Sequence, residues 1–134
     1  MGSFSDYLEN ELLDHVFGAS AYTAPGTLYV GLSTTDPTDP GTGITEPAGG
    51  SYARVAVTNN LTNWPAAVGG AKANGTAITF PTATGSWGTV GWFFLADAAT
   101  AGNVLGHAAL TASKTIDSGD TASFAIGDLD ITLD

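Results

Sequence analysis

The stretch Trp87-Gly88-Thr89-Val90-Gly91-Trp92-Phe93-Phe94-Leu95 is apolar or aromatic almost without interruption. A run of that kind fits a central strand buried on both faces. Half-buried strands lie to either side of it. Leu28, Val30 and Leu32 alternate with Tyr29 and Gly31, placing apolar side chains on one face only. Residues 52–58 alternate in the same way, and Thr76-Ala77-Ile78-Thr79-Phe80 does so up to Pro81. Further strands are expected over Val104–Leu110 and Thr121–Ile126, and through Leu129, Ile131 and Leu133. Turn clusters separate them at 97–103, 118–120 and 127–128. Short strands at such spacing predict a mainly β fold. The expected architecture is a single antiparallel β-sandwich or jelly-roll-like domain over 26–134, with long loops and one N-terminal helix over 1–18, all in one domain of 1–134.

The helix is read from Phe4, Leu8, Leu12 and Val16, which recur every four residues, with Leu13 and Phe17 widening the stripe. Ser3 with Asp6 resembles a capping box, and Gly18 follows as a stop. So short a helix is marginal alone and needs a surface to cover. That surface is either its own sheet or a neighbouring subunit.

Two connections are too long for hairpins. Residues 34–50 and 59–75 are rich in Pro, Gly, Asn and Asp, yet carry Ile44 in the first and Leu61, Trp64 and Val68 in the second. A purely solvated loop has no need of such residues. Trp64, beside Pro65, is expected as an exposed anchor for a partner. Trp87 and Trp92 should point to opposite faces of a regular strand, with Trp92 in the core. The residues expected to make assembly contacts are therefore Phe4, Leu8, Leu12, Val16, Ile44, Leu61 and Trp64.

Composition narrows the function. Hydrophobic residues form 43% of the 134, enough for one core. Charged residues form only 12%, against about 25% in ordinary soluble domains. A surface poor in long charged side chains loses less entropy on contact, which suits life in an assembly. Net charge is −10, and the strong cations are Arg54, Lys72 and Lys114. Three scattered cations cannot neutralise phosphates, so neither nucleic acid nor an anionic membrane is an expected partner. Cysteine is absent, which removes disulfide and thiolate chemistry. No secretory leader or membrane-spanning run is read, so a soluble protein made in a cytoplasm is expected.

The polar residues form no recognisable catalytic or metal-binding pattern. His15 and His107 fall into no triad order or ligand spacing. Asp36-Pro37-Thr38-Asp39-Pro40-Gly41 lacks the acidic alternation of a calcium loop and reads as Asx-type turns. Asp117-Ser118-Gly119-Asp120 also reads as a turn. Asp128, Asp130 and Asp134 alternate as a solvated strand face does. Gly85-Ser86-Trp87-Gly88 has no phosphate-loop spacing. No catalytic residue, cofactor or metal is expected, and the chain is read as non-enzymatic.

Longer motifs then carry a resemblance. Ser3-Phe4-Ser5-Asp6-Tyr7-Leu8-Glu9-Asn10, Leu12-Leu13-Asp14-His15-Val16-Phe17-Gly18 and Ala21-Tyr22-Thr23-Ala24-Pro25 resemble the opening of a family of small tailed-phage virion proteins. Leu28–Ser33, Ser51-Tyr52-Ala53-Arg54, Ile78-Thr79-Phe80-Pro81, Gly85–Gly88 and Gly127–Leu133 continue it. Members are often labelled tail fibre proteins, and related small β proteins decorate phage heads as trimers. The resemblance implies a virion structural protein. The leading expectation is a capsid decoration, or cement, protein that binds the major capsid protein and copies of itself as a homotrimer. The alternative is a tail fibre or receptor-binding component that touches the host surface. In either case the protein would reside in the virion.

Overall fold

The computed structural model describes residues 2–133. The apolar run forms strand β6, Gly88–Ala96, and lies at the centre of the largest sheet. On one side it pairs with β7, Val104–Ile116, and beyond β7 lies the short β1, Ser3–Phe4. On the other side it pairs with β2, Thr27–Ser33, which pairs with β3, Val55–Thr58. All four pairings are antiparallel. Two small sheets complete the fold: β4 (Ala71–Ala73) with β9 (Asp130–Thr132), and β5 (Ile78–Thr79) with β8 (Ser123–Phe124). The expected mainly β architecture is observed, and the layering is that of a β-sandwich.

The core lies between the large sheet and the β5–β8 layer. Val30, Leu32, Val90, Phe93 and Leu95 meet Ile78, Phe80, Trp87 and Leu129 in one buried cluster. Aromatic edges lock it: Tyr52 against Trp87 at 5.2 Å between centroids, and Phe93 against Phe124 at 5.9 Å. Behind the sheet, Phe94 is fully buried and the Arg54 guanidinium stands 4.9 Å from its ring centroid. Gly31 is the cross-strand partner of Phe94, and a Cβ at position 31 would overlap the ring. The last four residues of β6 are thus buried on both faces, as the unbroken apolar run predicts.

Local differences from the sequence reading have physical causes. The alternation within β6 breaks at a bulge between Val90 and Trp92. Trp87 precedes the strand and fills the core, where its indole donates to the Gly50 carbonyl at 2.8 Å. Trp92, expected in the core, is only half-buried. β7 continues well past Leu110, to Ile116. β5, β8 and β9 are shorter than the sequence runs that predict them, although Phe80 N still donates to Ala122 O at 2.9 Å beyond the β5–β8 ladder.

The largest correction is at the N-terminus. Phe4 is not helical: it pairs with Gly106 in β1. Helix α1 spans Asp6–Phe17. Its N-cap is Ser5, not Ser3; the Ser5 hydroxyl accepts from Leu8 N at 3.3 Å and donates to the Val104 carbonyl. Gly18 does end the helix, its N–H donating to Asp14 O at 2.9 Å.

Candidate functional site

The two long loops differ in what they offer a partner. Loop 34–50 is pinned to its own molecule. The buried Ser33 hydroxyl accepts from Thr45 N at 3.0 Å, and Thr34 N donates to Thr45 O at 2.9 Å. Thr38 N donates to Asp36 Oδ1 at 3.0 Å, the Asx turn expected from the sequence. Glu46 receives two bonds from Arg54, at 3.0 and 2.9 Å, and a third from Tyr52 Oη at 2.8 Å. Arg54 also donates to the Ala98 and Ala101 carbonyls, tying the 97–103 turn to the same ion pair. Burial pushes the Tyr52 phenol well above its ordinary pKa, and the Glu46 carboxylate adds to the rise. Within this loop Ile44 is half-buried rather than offered to solvent.

Loop 59–75 folds back on an Asn turn. Asn60 Oδ1 accepts from Thr62 N and Asn63 N at 3.0 and 2.9 Å. This turn swings Trp64 inward, so that it is only 3% exposed. Trp64 is therefore a core residue and not the expected exposed anchor. Among the described residues its indole N–H has no hydrogen-bond partner. Buried Asn74 fastens the end of the loop: Nδ2 donates to Thr76 O and Ala125 O, and Oδ1 accepts from Leu129 N. Leu61 and Val68 remain on the outside, 70% and 81% exposed.

Between α1, the segment leading into β2, and loop 59–75 lies an apolar groove of about 390 Å³. Phe4, Leu8, Leu12 and Trp64 all line it, so four of the seven expected contact residues converge there. Ile44 and Leu61 do not line it. Tyr22, Pro25, Leu28 and Leu133 also contribute; the sequence reading gave none of them this role, although Tyr22 and Pro25 belong to the opening motif. Among the described residues, Lys72 is the one charged residue in the lining. Val16 stands one turn beyond Leu12 on the same helix face and is 65% exposed. Beside it Phe17 is 84% exposed and Leu13 more than half exposed. The stripe thus begins in the groove and runs out into solvent.

The polar groups that could have carried chemistry hold structure instead. His15 Nδ1 accepts from Tyr22 N at 3.2 Å, and His107 Nε2 lies 3.1 Å from Asp39 Oδ1. Asp128 Oδ2 accepts from Ala125 N and Asp120 Oδ2 from Asp117 N, each closing a turn. Asp134 lies outside the described residues. Among the described residues no three His, Cys, Asp or Glu side chains converge as metal ligands would, and no helix is long and apolar enough to cross a membrane. What the site offers is an apolar groove that continues into the exposed outer end of α1.

A family model described as Podophage GP4 fiber I protein gp80 matches residues 3–132. The chain belongs to this phage fibre family. It is therefore a structural protein of the phage virion, as the motif resemblance implies. The match spans α1, both long loops and every strand described, so the groove lies in the family region except for Leu133. No curated protein matches the chain.

Proposed function

We propose that this protein is a component of the phage fibre apparatus, with no catalytic role, which docks on a neighbouring virion protein through the outer half of α1 and the adjoining groove. The observation that carries this reading is the run of Leu13, Val16 and Phe17 into solvent on a chain of a fibre family. Exposed Phe and Val at the end of a helix gain free energy only when something covers them, roughly 25 cal/mol per Å² of apolar surface removed from water. The family description supports the fibre over the capsid lattice. A host-receptor contact through Trp64 does not fit the burial of that indole. Copies of the chain are candidates for covering the same face, and sedimentation equilibrium distinguishes a monomer from the trimer that the resemblance implies.

Cryo-EM of the intact particle tests the location. Density for this fold is expected in the tail fibres, with α1 at a subunit contact. Density on the head lattice would return the role to capsid decoration and its partner to the major capsid protein.

A further inference from the structure

A second surface lies where the sandwich fails to close. β7 and β8 are consecutive, joined by the turn Asp117–Asp120, in which Asp120 N donates to Asp117 O at 3.0 Å. A tight turn between antiparallel strands ordinarily starts a ladder. Here none follows. β7 pairs with β6 on its inner edge and, among the described residues, with β1 on its outer edge only at Gly106 and His107. Among the described residues β8 pairs with β5 alone, and β5 lies against β3, the far strand of the large sheet. The strands therefore follow one another as β7-β6-β2-β3 in the large sheet, with the separate β5–β8 pair lying against β3, and among the described residues no ladder closes the seam between β8 and β7.

A cleft of about 730 Å³ occupies that seam. Its apolar side includes Val90, Phe93 and Phe124. Asp120, Asp128 and Asp130 also line it, against a single cation, Lys114. Along β7, Thr111, Ala112, Ser113 and Thr115 are exposed and short, and Lys114 is the long side chain among them. Leu110–Ser113 bulge opposite Gly91 and are unpaired with β6 as well. A bulge and a lysine are devices that discourage indiscriminate edge pairing.

We propose that this seam receives an extended segment of another polypeptide, added as a strand along β7, in which apolar residues alternate with Lys or Arg. The period-2 alternation would send apolar side chains toward Phe93 and Phe124 and basic ones toward the aspartates. A second copy does not fit this chemistry. The chain has three strong cations, one of them already bound to Glu46, and each copy carries a net charge of −10. No residue lines both this cleft and the groove beside α1, so the two surfaces stand or fall separately.

The test uses the full chain and three synthetic octapeptides: alternating Val and Lys, alternating Val and Glu, and a block arrangement with the composition of the first. Calorimetry reads affinity, and amide hydrogen exchange reads the site. The alternating Lys peptide should bind at least tenfold more tightly than either control and should protect amides within 110–116 and 121–124. D120N/D128N, which keeps the turn-closing acceptors, should weaken it several-fold. A112P, placed where β7 is unpaired with β6, should abolish the protection. Equal binding of the block peptide, or binding without protection of β7, would overturn the proposal. So would protection of the same amides by self-association at high protein concentration.

Discussion

The two halves of α1 share one apolar period but differ in their surroundings. Tyr7 and Leu8, in the first half, pack against the core. Val16 and Phe17, in the second, point into water. The apolar period is unbroken between them, so periodicity alone gives no sign of the change. The floor beneath the helix makes the difference: β1 is only Ser3–Phe4, and the sheet offers the outer turns nothing to lie on. An apolar stripe thus reports that a surface will be covered, not which molecule covers it.

The largest effect on the isolated chain should come from the inner half. Leu8→Ala should lower stability by about 2 kcal/mol, because it removes packing against the core from a partly buried site. Urea denaturation measures it. If the loss were negligible, the inner half would be no better seated than the outer, and the contrast would fail. Ser5→Ala should cost about 1 kcal/mol through loss of the N-cap, read by the same titration. The smallest effect is expected at the outer end: Phe17→Ala should change stability by no more than about 0.5 kcal/mol.

Loop 34–50 sharpens the contrast from another direction, since it is held by an internal network rather than left for a partner. The Tyr52 phenol is raised in the folded state, chiefly by burial. The unfolded chain would ionise it near pH 10 while the folded chain keeps it neutral. Its contribution is therefore complete below pH 10 and declines as pH rises above that. Tyr52→Phe should flatten this alkaline decline in a pH series of melts. An unchanged slope would mean that Tyr52 does not couple the loop to the fold.

Much of the fold was legible because burial on both faces leaves a continuous apolar run, as in Phe93-Phe94-Leu95, and burial on one face leaves alternation, as in Leu28–Leu32. β1 and β4 were not legible. Two or three residues carry no period, and Ala71-Lys72-Ala73 lacks the branched and aromatic residues that mark strands. The bulge opposite Gly91 also escaped, which is why Trp87 and Trp92 exchange their expected places. At the site, Phe4, Leu8 and Leu12 were found through the helix stripe, although Phe4 reaches the groove from a strand. Trp64 was named for the wrong reason. Its position beside Pro65 suggested exposure, but the hydrogen bonds to Asn60 that turn it inward depend on how the loop closes. Tyr22, Pro25 and Leu28 meet α1 only through tertiary folding, and no local signal pairs them with it.

Incorporation of Phe17→Asp protein into phage particles tests the central claim most directly, with its urea midpoint as the control for folding. A variant that folds as well as the wild type yet is missing from purified particles, by at least tenfold, is the result this account predicts. Normal incorporation of the folded variant would contradict it, because the exposed end of α1 would then not be the surface by which the protein is held in the virion.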